Sequence, residues 1–366
     1  MKKMPVFILV AVLSLSLILG GCGGGKQQQQ QQSSGSSTST AQVQELNFAS
    51  AYMETHPTVV NAFKPWLKSV EEQSGGKVKF NFYNQGALCP DKDVFDSVVS
   101  GMVDIGGSYC GYYPGKFPLN EVMELPLIVP GAEAGSLVTW ELYKKYPEWQ
   151  KEFEGVKVLW QWTSATYQLH TTKKMVKTLE DLKGMKIIGW SPKILEIIRS
   201  LGANPIEVSA TDTYLALQRG MADGVMCPLA PLKSYKISDA AKYHTIVDVC
   251  VGPFFMVMNK EKFAGLPADV QKVIDQTTGE KMAQLCGKTL DEGAVNDSKW
   301  LKDNGHEFYV LPENERARWF EAVKPIHEKW VKDMEAKGYT KAREVLNEAI
   351  RLGEEFAKKT GRGYRE

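Results

Sequence analysis

Residues 179–228 read LEDLKGMKIIGWSPKILEIIRSLGANPIEVSATDTYLALQRGMADGVMCP. They alternate between strand and helix. Lys186–Gly189 is a short apolar strand. A helix over 192–201 starts at a proline and carries Ile194, Ile197, Ile198 and Leu201 on one face. Gly202 stops it, and 205–208 is the next strand. Thr211 or Asp212 opens a further helix that Gly220 ends, and 223–226 returns as strand. Strand–helix–strand repeats of this length build a parallel sheet covered by helices, so the class is α/β.

The flanking sequence repeats the theme. Upstream, 45–50, 77–83 and 103–106 read as strands, separated by helices over 59–73 and 91–100, in the order βαβαβ. Downstream of these, 133–146 is helical and 156–161 and 167–172 are strands. After the quoted stretch come a helix over 233–240, strands at 243–249 and 253–259, and one long helix over 267–296. A strand at 306–311 and a largely helical 313–355, interrupted near Gly338, complete the chain.

The first residues fix a compartment. Lys2 and Lys3 precede an apolar stretch at 6–19 that is short for a membrane span. Leu19-Gly20-Gly21-Cys22 then forms a lipobox. The expectation is a signal peptide over 1–21, lipidation of Cys22, and a flexible Gln/Ser-rich tether over 22–44 that lacks the apolar content to build a core. Lipid attachment anchors such a protein to the membrane outside the cytoplasm.

Composition narrows the function. A net charge of +1 over 366 residues excludes a strongly basic nucleic-acid footprint. Of six cysteines, Cys22 is committed to lipid. Cys89, Cys110, Cys227, Cys250 and Cys286 contain no C-x-x-C pair, which argues against zinc. Cys89 with Cys110, and Cys227 with Cys250, are candidate disulfides, with burial as small apolar side chains the competing role. The chain carries no H-E-x-x-H, G-x-S-x-G or phosphate-loop motif, so the expectation is no enzyme, no cofactor and no metal.

The quoted stretch resembles the substrate-binding proteins of tripartite ATP-independent periplasmic (TRAP) transporters, the DctP-like family. The resemblance rests on Leu182-Lys183-Gly184 with Lys186-Ile187, on LGANP at 201–205, and on Tyr214, Ala216, Leu217, Gln218, Gly220, Asp223, Gly224 and Pro228. It extends from about Leu46 to the C-terminal region. It implies a two-lobed, type II periplasmic-binding-protein-like fold with a ligand cleft between lobes. Lobe one would comprise 45–167 with 254–295, and lobe two 168–253 with 296–366. It implies capture of a small organic solute by a monomer and delivery to the small and large TRAP membrane subunits.

The same resemblance marks four departures. An arginine that holds a ligand carboxylate in many relatives is here Ile188, and a second basic position is Gln168. A ring position is Ala210, and an asparagine position is Cys227. Two lost cations disfavour burial of a carboxylate, which costs several kcal/mol when uncompensated. The remaining cleft candidates are Tyr52, Tyr109, Trp162, Trp190 and Phe254, with Asn259 on the returning strand and Glu54 as a partner for an amine. The expected solute is therefore aromatic or amine-bearing rather than a simple dicarboxylate. The alternatives are an organic acid held by a non-standard base, with His170 first, and an orphan receptor feeding a sensor.

Overall fold

The computed structural model describes residues 43–361. The lipobox and most of the tether lie outside them. Eleven strands among the described residues form two sheets. They are β1 (Gln44–Ala49), β2 (Val78–Tyr83), β3 (Ile105–Tyr109), β4 (Val156–Thr163), β5 (Gln168–Thr171), β6 (Lys186–Gly189), β7 (Asn204–Glu207), β8 (Gly224–Cys227), β9 (Tyr243–Ile246), β10 (Pro253–Asn259) and β11 (Glu307–Val310). The first sheet has the order β2-β1-β3-β10-β4, the second β11-β9-β5-β8-β6-β7.

The helices are α1 (Lys64–Gln73), α2 (Val94–Val99), α3 (Ala132–Lys145), α4 (Pro147–Lys151), α5 (Leu179–Leu182), α6 (Pro192–Ser200) and α7 (Thr213–Gln218). Then follow α8 (Ala230–Ser234), α9 (Lys260–Ala264), α10 (Ala268–Thr277), α11 (Glu280–Asp303), α12 (Glu313–Val323), α13 (Pro325–Ala336) and α14 (Ala342–Thr360).

The quoted stretch folds as its pattern predicts. β6 runs parallel to both β7 and β8, with α6 and α7 as the crossovers. Ser191 caps α6 by accepting from Ile194 N–H at 3.1 Å, and Pro192 occupies the first turn. Ile194, Ile197 and Ile198 are buried. Thr178 and Asp181 form a capping box around the short α5, an element the sequence reading passed over.

Two segments carry the chain between sheets, 164–167 and 247–252. They are tied to each other. Ser164 N–H donates to Gly252 O at 2.8 Å, and Tyr167 N–H to Cys250 O at 2.8 Å. β10 then enters the first sheet antiparallel to both β3 and β4. These paired crossings join the two sheets.

Three of the expected helices change. The helix over 267–296 is two helices, because Gly279 adopts φ +74° and donates to Leu159 O at 2.8 Å. Its second part, α11, runs on to Asp303 and packs on α3 and β4 at one end and α8 at the other. The 313–355 region breaks at Pro325 as well as near Gly338, since proline cannot continue the helical ladder. The 233–240 helix is instead α8 and a 3₁₀ turn at Ile237–Asp239, separated by Lys236 at φ +57°. The five cysteines beyond the tether are buried and unpaired. The C-terminal α14, placed with the second lobe from sequence, packs on α3 and α13.

α3 and α11 meet without side chains between them at one point. A Cβ on Gly287 would sit 2.5 Å from Ala132 O and 2.6 Å from Glu133 Cα. One turn further, the Asp291 carboxylate accepts from the N–H groups of Ala132 at 2.8 Å and Glu133 at 2.9 Å. A side chain of one helix thus satisfies the free donors at the start of the other.

Candidate ligand-binding cleft

The strand ends of both sheets enclose a cavity. From the first sheet and its loops come Tyr52, His56, Gln85, Asp91, Ser108, Tyr109, Tyr112 and Phe254. The second contributes Trp190, Ala210, Pro228, Pro231, Ser234 and Tyr235. Ser164, Ala165 and Tyr167 on the first crossing segment close one side, and Leu290 and Ala294 on α11 another. The space open to the centre of a water-sized sphere is about 50 Å³.

The walls are rings. Phe254 packs between Tyr52 and Tyr109, at centroid distances of 5.3 and 5.2 Å. Tyr112 meets Tyr109 edge-on at 5.0 Å. Across the cleft, Trp190 faces Tyr235 at 6.4 Å, and its indole N–H is already given to Thr213 Oγ1 at 3.0 Å. Trp190 therefore offers a fixed face and no free donor.

The polar groups are few. His56 stacks on Tyr52 at 3.9 Å, and burial pulls its imidazole down to about 3, so it is neutral at ordinary pH. No lysine or arginine is among the lining residues. Asp91 is the single carboxylate there, and burial pushes it up to about 6. Its Oδ2 accepts from Gln85 Nε2, and Gln85 Oε1 in turn accepts from Tyr235 Oη on the opposite side of the cleft. Asp91 Oδ1 and Tyr109 Oη are buried without a hydrogen-bond partner.

Of the residues expected from sequence, the structure brings Tyr52, Tyr109, Trp190, Ala210 and Phe254 together on this cavity. Six lie elsewhere. Glu54 pairs with Lys64 on the exposed surface. Trp162 lies one layer behind, stacked on Phe254 at 5.3 Å and donating to Tyr52 Oη at 3.2 Å. Ile188 and Cys227 are buried within the second sheet's core. Asn259 caps α9 through Lys262 N–H and donates to Val98 O at 2.8 Å.

Gln168 also does a structural job. Its carbonyl accepts from Val247 N–H at 2.7 Å and Asp248 N–H at 3.0 Å, while its amide donates to Asp248 Oδ1 at 2.7 Å. It holds the second crossing segment where it leaves β9. His170 is remote from the cavity lining too. It belongs to a buried row in which His170 Nδ1 meets His244 Nδ1 at 2.8 Å and His170 Nε2 meets Cys227 O at 3.0 Å.

Asp91, Gln85 and Tyr235 escaped the sequence reading. Pro90-Asp91 looks like a helix start, and Tyr235 fell inside an expected helix. The one available signal was an acid opening a helix in a chain whose cleft had lost its bases.

The family model of the bacterial extracellular solute-binding proteins, family 7 (DctP), matches residues 48–333. The chain belongs to this family. It is a TRAP-type solute-binding protein with the two-lobed fold. The C4-dicarboxylate-binding periplasmic protein DctP of Rhodobacter capsulatus is 27% identical over 261 residues, 70% of this chain and 78% of its own length. Among solved structures, a TRAP solute-binding protein of Rhodoferax ferrireducens in complex with copurified benzoate superposes with a TM-score of 0.82 at 27% identity, covering 87% of this chain and 99% of its own. A marine-metagenome TRAP protein specific for aromatic acid ligands, with 3-hydroxybenzoate, gives 0.82 at 28% identity, over 86% and 99% of the two chains. The Bordetella bronchiseptica protein with bound mandelates gives 0.78 at 26%, over 85% and 99%. Among the described residues, no helix is long and apolar enough to cross a membrane.

Proposed function

We propose that this protein is an extracytoplasmic receptor that captures a small aromatic solute and delivers it to a TRAP permease. The observation that carries the solute class is the cavity wall: seven aromatic residues (Tyr52, Tyr109, Tyr112, Tyr167, Trp190, Tyr235 and Phe254) and no lysine or arginine. A C4-dicarboxylate would bury two charges there without a cation, at a cost of several kcal/mol. An aromatic ring, by contrast, matches the walls in shape and polarity. The relatives that hold benzoate, 3-hydroxybenzoate and mandelate support an aromatic solute.

Those relatives also favour a second reading, an aromatic acid. It requires a base that this cavity lining lacks, since His56 is neutral and His170 is committed to its row.

The protein acts as a monomeric binder and not as an enzyme, anchored through a lipid on Cys22 and handing solute to the small and large membrane subunits. Thermal-shift screening of the mature protein tests the solute class, because a ligand at about 100 times its Kd adds about 2.7 kcal/mol of stability. Stabilisation by aromatic compounds and none by succinate or malate is expected. Tight succinate binding would overturn the solute class. Mass spectrometry of the mature N-terminus tests the anchor: an unmodified Cys22 rules it out.

A further inference from the structure

Asp91 is held in a defined orientation beside the cavity. Its backbone carbonyl is pinned by two hydroxyl donors, Tyr113 Oη at 2.6 Å and Ser108 Oγ at 2.7 Å. Its side chain is oriented by Gln85 at Oδ2. That leaves Oδ1 buried and unpartnered, on a residue that lines the cavity. Buried carboxylate oxygens in folded proteins are normally hydrogen-bonded, so Oδ1 has capacity to accept from a donor. Tyr109 Oη, buried on the same cavity, is a second unpartnered oxygen able to accept. An ammonium group supplies three N–H donors and a positive charge, and it is attracted to ring faces.

We propose that the solute is an organic amine, its ammonium bound by Asp91 Oδ1 and walled by the rings of Tyr109, Tyr112, Tyr235 and Trp190. This rests on the solute-receptor function above and assigns the charge of its ligand. Gln85 is a positioning residue. It fixes the carboxylate through one amide end and is itself held by Tyr235 from across the cleft, so the anion is oriented by both halves of the site. The opposite choice, a carboxylate ligand, would face Asp91 with like charge and find no cation among the lining residues.

Isothermal titration of the mature protein with phenethylamine, benzyl alcohol and benzoate tests this. Phenethylamine is expected to bind, and benzoate not to. Asp91→Asn should weaken phenethylamine by at least about tenfold and leave benzyl alcohol within about twofold. Glu54→Gln, which alters a surface ion pair with Lys64, should change neither. A thermal melt of each variant checks folding. Should Asp91→Asn fail to fold, the wild-type protein carries the same test through pH. Amine affinity should fall about tenfold from about pH 7.5 to about pH 5 as Asp91 takes up a proton. The groups facing that carboxylate (the phenols of Tyr112, Tyr113 and Tyr235, with neutral His56 on the same cavity) hold their charge state across this window. Benzyl alcohol binding as tightly as phenethylamine, or benzoate binding more tightly, overturns the amine and leaves an aromatic receptor standing. Failure of all three to bind overturns both.

Discussion

His244 Nε2 lies 2.8 Å from His306 Nδ1, and this contact sets the hydrogen positions of a buried row of rings. Lys242 Nζ is 3.1 Å from His306 Nε2, and an ammonium only donates. His306 must therefore carry its hydrogen on Nδ1 and give it to His244 Nε2. His244 then donates from Nδ1 to His170 Nδ1, and His170 from Nε2 to Cys227 O. Each ring is neutral, and every hydrogen bond points the same way.

Imidazole ¹⁵N spectra should show that pattern, with His170 protonated at Nε2 and His244 at Nδ1. Burial depresses His170 to about 3, His306 to about 4, and His244 further still. No titration of His170 or His244 is expected between about pH 8 and about pH 5. The unfolded rings bind protons below about 6.5 and the folded ones do not, so the row's contribution to stability is present above that pH and lost as pH falls below it. The loss is about 2 kcal/mol for each of His170 and His244 by about pH 5. Midpoints near 6 for both rings would refute the arrangement.

Glu124 behaves in the opposite sense. It is buried, accepts from Ser191 Oγ at 2.7 Å, and is pushed by burial up to about 7. Its native state holds a proton that the unfolded carboxyl gives up above about 4.3. Its contribution is thus complete below that pH and is lost as pH rises through about 7. Glu124→Gln keeps the neutral shape. Relative to wild type, the variant should gain stability from about pH 5 to about pH 8, by at most about 3 kcal/mol. Urea titrations at the two pH values measure the gain, and a constant difference would count against it.

Gly287 and Gly293 on α11 offer a paired test. Alanine at 287 would press its Cβ on the backbone of Ala132 and Glu133, which cannot step aside. Overpacking should outweigh the helical preference for alanine and destabilise by about 1–3 kcal/mol. Alanine at 293 meets only Pro57 at 3.5 Å, ordinary contact. There the helical preference prevails, with a gain of up to about 1 kcal/mol. Chemical denaturation of both variants should give opposite signs.

Trp190→Ala should weaken binding of an aromatic solute by about 1–3 kcal/mol through the lost ring face. Calorimetry with the tightest aromatic ligand found by screening measures it. Unchanged affinity would remove Trp190 from the site.

The architecture was legible where one residue pattern served one purpose. The spacing of Ile194, Ile197 and Ile198 marks a helix with a single buried face, and α6 follows it. β6 shows the limit. Ile187, Ile188 and Gly189 are all buried, so the strand has no polar face from which to tell where residue 188 points. Ile188 consequently looked like a cleft residue and is a core one. Gln168 occupies a position where a base was missing, yet its amide is spent on Val247 and Asp248 nearly eighty positions away in sequence. Such long-range hydrogen bonds leave no local mark. Asp91 was hidden for the reverse reason: the residue type that opens helices is also the one that binds cations, and only the cavity separates the two roles.

The bare contact at Gly287 has a mechanical meaning. With backbone against backbone and Asp291 tying the start of α3, helices α3 and α11 are fixed to each other as one lever. Any parting of the two sheets would then be absorbed at 164–167 and 247–252, and where the far end of α11 packs on α8. Leu290 and Ala294, which touch the solute space, sit on that same lever. The lining of the solute space and the stiffness of those crossings therefore meet in one helix, and a substitution that loosens its seat should shorten residence time even though it never meets the ligand.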